Sequence, residues 1–191
     1  MKKIMFSDKF ALTKAVLEGR KTMTRRLVPG KTLACANDYV QQIHGTGHDY
    51  LDYLLDNSAY KLGEIVAAAQ SYKDIREELG KSGVSPFVAK AGYRNKMYVR
   101  ADLMPHQICI TNVRVERLQD ISDEDCIREG IFLRPAKDIR REFDTEYTFG
   151  TGKYHAATPK AAFAVLIDAT CGQGTWQSNP WVFVYGFELI K

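Results

Sequence analysis

The sequence predicts an α+β domain in which a curved, mostly antiparallel sheet or small barrel carries helices at its periphery. Three observations predict it. Five or six short apolar runs read as strands, the longest being residues 107–118, rich in β-branched side chains, and the apolar run 181–189. Three or four segments carry helical spacing or capping signals. No strand-helix-strand alternation is sustained, which excludes a doubly wound parallel sheet. At 191 residues with 45% apolar and 26% charged composition, the chain reads as a single domain, residues 1–191, able to bury a core.

Ile4-Met5-Phe6 is the first strand candidate, and Ser7 or Asp8 can cap the helix that follows. Ala11, Ala15 and Leu17 give that helix an inward stripe, and Gly19 is its stop. Residues 21–27 then read as extended, with Thr22, Thr24 and Arg26 on one face and Lys21, Met23 and Arg25 on the other. Pro29-Gly30 ends this element. Within 31–62, Tyr50, Leu51, Tyr53, Leu54 and Leu55 suggest a helix, and the stretch from His44 to His48 suggests a loop. Gly63-Glu64 turns into a buried strand at 65–69. Residues 71–96, with Lys90, Arg94 and Lys96, form a polar excursion. Met97 to Ala101 reads as a strand interrupted by Pro105. Ser122 opens a short helix with Asp123, Glu124 and Asp125 in its first turn, ending at Gly130. Residues 133–157 are mixed and loop-like, Thr158-Pro159 starts a helix to about Ala169, and Gly172 to Gly174 forms a loop before the last strand.

The net charge of +4 permits nucleic acid as a partner without demanding it. Local clustering says more. Residues 19–26 hold Arg20, Lys21, Arg25 and Arg26 with the hydroxyls of Thr22 and Thr24, and no acid. Cations past a helix end suit the helix dipole and equally suit a bound anion; a solvated basic loop is the plainer reading. A lysine beside a hydroxyl can act as base or as electrostatic stabiliser if burial lowers its pKa, and a carboxylate could move the proton. Glu129, at the end of the short capped helix beside Gly130, is one such acid, or simply an exposed helix-end residue. No metal site is expected: His44 and His48 have i, i+4 spacing but two glycines between them, and Cys35, Cys109, Cys126 and Cys171 are scattered. The three GxG triplets lack the continuation that phosphate loops need, so no cofactor is expected. The scattered thiols and the lack of a long apolar segment point to a cytoplasmic protein with no membrane partner.

Gly19, Lys21 and Arg26 resemble the GxKxxExR signature of the ASCH domain, a β-barrel related to the PUA domains of RNA-modifying proteins. Further matches are the Gly63-Glu64 turn, the segment 113–122 followed by Glu129-Gly130-Ile131, and Trp176 with Asn179-Pro180-Trp181. The last two are similar to ASCH proteins of bacteria and their phages. The resemblance runs from Phe6 to Leu189 and leaves 31–60, 71–96 and 133–157 as insertions or variable loops. It implies a PUA-like barrel that binds RNA or a nucleoside. The signature's glutamate is Thr24 here. Small ASCH enzymes that hydrolyse 4-acetylcytidine use Lys, Thr and Glu, and these fall on Lys21, Thr24 and Glu129. The resemblance therefore implies an amidohydrolase with that set, with Gly19, Arg20, Arg25, Arg26 and Trp176 serving ligand or RNA binding. A non-catalytic RNA-binding or regulatory module of phage or mobile-element origin is the alternative.

Overall fold

The computed structural model describes residues 1–78, 80, 91–134 and 146–190. Among these, seven strands and seven α-helices follow one another as β1 (Lys3–Ile4), α1 (Leu12–Leu17), β2 (Met23–Leu27), α2 (Gly30–Gln42), α3 (Gly47–Asp56), β3 (Ile65–Ala68), α4 (Tyr72–Glu78), β4 (Gln107–Arg117), α5 (Asp123–Arg128), β5 (Phe132–Leu133), β6 (Tyr147–Thr148), α6 (Pro159–Cys171), α7 (Thr175–Ser178) and β7 (Trp181–Leu189). The α+β class is as the sequence predicts.

Five strands form one sheet in the order β1-β3-β4-β7-β2, with β5 and β6 paired separately. Only β1 and β3 run parallel; the other neighbours are antiparallel. The long strands β4 and β7 form its centre, with a bulge between Ile110 and Asn112. On these strands Ile108, Ile110, Val184 and Tyr185 are fully buried, as are Phe163 and Leu166 of α6 in the same core. Tyr185 spans this core, and its hydroxyl accepts from the Ala59 amide at 3.1 Å.

The ladder does not close into a barrel among the described residues. It ends at β1 on one side and β2 on the other. A two-residue β1 offers too short an edge for a further ladder. A side chain joins the two edges instead: Arg26 of β2 donates to the carbonyl of Met5, just past β1, and its guanidinium lies 5.7 Å from the centre of the Phe6 ring.

Residues 31–60, expected to be an insertion or variable loop, hold most of a helical hairpin. Tyr39 of α2 and Tyr53 of α3 pack with ring centres 5.0 Å apart, and Leu54 is fully buried. Thr46 and Asp49 form a capping box that starts α3, so His48 belongs to a helix and not to the expected loop. The strand expected at 97–101 is absent. Two 3-10 turns, Lys96–Tyr98 and Ala101–Leu103, replace it. Lys3 donates to the carbonyls of Lys96, Met97 and Val99 at 3.1, 2.5 and 2.7 Å, using acceptors that a ladder would need. Lys90 and the rest of 81–90, like 135–145, lie outside the described residues.

Gly150 follows β6 with φ +62°, and a Cβ there would lie 2.7 Å from the Phe10 carbonyl oxygen. Both the left-handed backbone and the contact exclude a side chain. Gly150→Ala is expected to cost about 2–3 kcal/mol, read as a lower midpoint in thermal or urea unfolding.

Candidate active site

Local sequence brings two distant segments together. Gly19 takes φ +70° after α1, and the amides of Arg20 and Lys21 both donate to the Ala15 carbonyl at 2.9 Å. The Thr22 amide donates to the Arg128 carbonyl at 2.9 Å, and the Thr22 carbonyl accepts from Phe187 at 2.8 Å. The entry to β2 is thus clamped between the end of α5 and the strand β7. On the other side, the Ser122 hydroxyl accepts from the Asp125 amide at 3.1 Å and starts α5. Gly130, at φ +100°, turns the chain directly after Glu129.

Lys21 and Glu129, 108 residues apart, meet in this junction. The Lys21 ammonium lies 2.5 Å from Glu129 Oε2 and 2.7 Å from the Glu129 carbonyl oxygen. Both side chains are almost completely buried, at 2% and 4% exposure. Arg25 Nη1 donates to Glu129 Oε1 at 3.2 Å, so each carboxylate oxygen has its own cation. The Arg25 guanidinium also reaches Glu116 Oε1 at 2.9 Å through Nε and 2.6 Å through Nη2, and Asp125 Oδ2 at 2.9 Å. Arg114 ties Glu116 and Asp125 together from the solvent side.

Burial shapes the titration of these groups. It pulls Lys21 below the usual lysine range; Glu129 opposes this only in part, and the charges of Arg26 and Arg25 add to the lowering. Burial also disfavours the Arg25 cation, but Glu129, Glu116 and the hydrogen bonds to Glu116 and Asp125 outweigh it and hold Arg25 above its ordinary value. Burial raises Asp125, and the Arg25 hydrogen bond with the charge of Arg114 outweighs it, holding the carboxyl below its usual range.

The Lys21–Glu129 pair borders a cavity of about 360 Å³, within the size range of small-molecule sites. Thr24, Arg25, Arg26 and Leu27 contribute from β2, Phe163, Leu166 and Ile167 from α6, and Met5 to Ser7 from the opposite edge of the sheet. Thr24 is 5% exposed, and among the described residues its hydroxyl makes no hydrogen bond. A hydroxyl at a cavity wall without a protein partner is available to a ligand.

The strict face separation expected along 21–27 does not limit this cavity. Lys21 precedes the first ladder residue, Met23, so strand alternation does not hold it. β2 is also the last strand of the sheet, and the cavity wraps its open edge.

Three expected binding residues take other roles. Arg25 is an internal counter-ion, already held by three carboxylates, and has no free donor set for a phosphate. Arg20 is exposed, pairs with Glu18 through Nε at 2.9 Å, and does not border the cavity. Trp176 packs edge-on against Phe163 with ring centres 6.2 Å apart; its amide donates to Asp168 and its carbonyl accepts from Gln119, and its own side chain does not border the cavity. Gly19 acts through its backbone turn. Of the four, with Arg26, only Arg25 and Arg26 reach the cavity wall. The sequence reading missed Glu116 and Asp125. The signal for Asp125 was its place in the first turn of a capped helix, one turn before Glu129.

Among the described residues no group of three or more His, Cys, Asp or Glu side chains is arranged to hold a metal, and no helix is long and apolar enough to cross a membrane. Glu116, Asp125 and Glu129 do converge, but on the Arg25 guanidinium. The four cysteines are free thiols. Burial pushes the Cys126 thiol up to about 12, whereas Cys171 is exposed and borders the cavity. Under native conditions, iodoacetamide is expected to label Cys171 and leave Cys126 unmodified until the protein is denatured, as read by peptide mass mapping.

Comparison of the chain with protein-family models, with curated proteins and with solved structures gives no match.

Proposed function

We propose that this chain is an ASCH-type, PUA-like protein whose cavity binds an acylated cytidine and hydrolyses its amide bond. One observation carries the reading: Lys21 and Glu129 form a buried pair at 2.5 Å on the wall of a cavity that Thr24 also lines with an unpartnered hydroxyl. The three residue types that amide hydrolysis calls for, a nucleophile, a basic nitrogen and a proton carrier, border one space.

In this reading Thr24 Oγ attacks the acyl carbonyl carbon. Its proton passes to the Lys21 amine, which burial favours in the neutral form; the two groups are not hydrogen-bonded in this structure, so the transfer requires bound substrate to bring them together. The resulting ammonium then stabilises the negative oxygen of the tetrahedral intermediate. Glu129 relays the proton to the exocyclic nitrogen of cytosine as the carbon–nitrogen bond breaks, and cytidine leaves. Water then attacks the threonyl ester, with the same groups returning the proton, and the carboxylic acid is released. Arg25, held to the second carboxylate oxygen, keeps Glu129 in register. The apolar side chains of α6 supply the low-dielectric wall that strengthens these interactions.

Arg25 and Arg20 are both ion-paired, which favours a nucleoside-sized ligand at this cavity over a purely electrostatic grip on phosphate. The test is incubation with a panel of acylated nucleosides that includes 4-acetylcytidine, followed by mass detection. Release of cytidine and acetate supports the reading. Salt-sensitive RNA binding with no turnover of any acylated nucleoside overturns it in favour of a non-catalytic module.

A further inference from the structure

A second cleft, of about 290 Å³, lies on the other side of the segment that walls the first cavity. Residues 5–7 and Leu12 face the first; Lys9 and Phe10 face the second, with Phe149, Lys153 and Tyr154. Its aromatic wall is already built. Tyr154 stacks on Phe149 with ring centres 4.9 Å apart and planes 10° apart, and Phe10 meets both rings edge-on at 5.7 and 6.2 Å. Phe10 and Phe149 are buried, whereas Tyr154 is 40% exposed. The Gly150 turn packs against the Phe10 carbonyl and fixes this arrangement. Lys9 and Lys153 are exposed, and neither forms an ion pair among the described residues. Every other charged side chain on the cavity segment is matched: Asp8 pairs with Lys96 at 2.7 Å, and Lys14 with Glu18 at 3.7 Å.

An exposed ring on a rigid aromatic support, flanked by two ammonium groups with no carboxylate partner among the described residues, Lys9 resting 5.1 Å over the Phe10 ring centre, suits a ligand with a planar face and a negative charge. We propose that this cleft binds a nucleotide of a single-stranded RNA, its base on Tyr154 and its phosphate near Lys9 and Lys153. The acylated cytidine of the first cavity is then a residue within an RNA strand, and the second cleft holds a neighbouring nucleotide. The inference rests on the proposed function for the choice of RNA, and the cleft itself stands on its own geometry. Arg25 and Arg20 cannot supply this charge, because carboxylates already hold them. Lys9 and Lys153 can.

The test is fluorescence anisotropy with a labelled, unacylated single-stranded RNA of ten nucleotides across a salt series. Wild type is expected to bind with affinity that falls as salt rises. The double variant Lys9→Ala, Lys153→Ala is expected to bind more weakly and to flatten the salt slope by roughly 0.7 per lysine removed. Tyr154→Ala is expected to weaken binding about fivefold or more, and Tyr154→Phe to keep it, since the ring survives. Lys14→Ala, a neighbouring exposed cation, serves as the control and is expected to behave as wild type. Unchanged binding in the double lysine variant and in Tyr154→Ala, both folded by circular dichroism, overturns the proposal. Hydrolysis of free 4-acetylcytidine with no RNA binding at all overturns this cleft and leaves the first reading standing. RNA binding lost in these variants, with no hydrolysis by wild type, supports the cleft and overturns the first reading.

Discussion

Thr24→Val is expected to reduce the hydrolysis of 4-acetylcytidine by roughly 10³-fold or more, the scale seen when a nucleophile is removed from an acyl-transfer site. Valine keeps the branched shape of threonine and removes only the hydroxyl. That hydroxyl makes no hydrogen bond among the described residues, so its loss orphans no protein partner. Folding stability is therefore expected to change by less than about 1 kcal/mol. Thr24→Ser keeps the nucleophile and is expected to retain measurable turnover. The comparison needs kcat/KM for each variant with a thermal melt beside it. Turnover in Thr24→Val close to wild type would remove Thr24 from the chemistry and leave direct attack by water in its place.

Lys21→Met carries the largest expected effect on stability. It leaves Glu129 buried with Arg25, at 3.2 Å, as its remaining charged partner. Breaking one side of a buried pair costs about 3 kcal/mol, and hydrolysis is expected to fall below detection. The double variant Lys21→Met, Glu129→Met removes both charges, and is expected to recover a large part of the stability and none of the activity. Activity and fold thus separate.

The same residue sets a pH dependence. Lys21 has a folded pKa below its ordinary value of 10.5, so between the two values the unfolded chain binds more protons. Its contribution to stability therefore rises with pH through that window and is complete above the ordinary value. Wild type is expected to show this rise in unfolding free energy on the alkaline side, and Lys21→Met to lack it. Turnover is expected to rise with pH through the folded pKa of Lys21, at the lower edge of that window, and to level off above it, because in the proposed mechanism the neutral amine is the base. A kcat/KM profile that falls on the alkaline side, or that shows no rise at any pH up to the ordinary lysine value, with turnover intact, would exclude Lys21 as that base.

Much of the local structure was legible in the sequence because short-range rules govern it. The caps at Ser122 and Thr158, the turn at Gly19 and the long central strands all depend on neighbouring residues. The helical hairpin at 31–60 was less legible. Its fold depends on Tyr39 meeting Tyr53 and on Tyr50 reaching Trp181, contacts that no local window contains. The turns near 97 were misread because an apolar run beside Pro105 has strand propensity, whereas the buried amine of Lys96 and the reach of Lys3 decide its shape. At the candidate site, Lys21 and Thr24 stand in the signature-like stretch and Glu129 follows from the same resemblance; the structure brings Lys21 and Glu129 together beside a cavity that Thr24 lines. The opposite fate of Arg25 was not. A basic residue in a basic cluster gives no sign that three carboxylates, each about one hundred residues away, will enclose it.

The position of β2 also governs when this site comes into being. Among the described residues its ladder partner is β7, and the Thr22 carbonyl that anchors the turn before it is held by Phe187. The cluster at 19–26 is therefore made well before β7, the strand that secures it. Until the final strand docks, Lys21 has neither its cavity nor a fixed approach to Glu129, and its amine is an ordinary solvated lysine. Pairings this distant in sequence close slowly, because chain entropy opposes them before any contact rewards them. The proposed catalytic arrangement is thus withheld from the nascent chain and arrives together with the completed sheet.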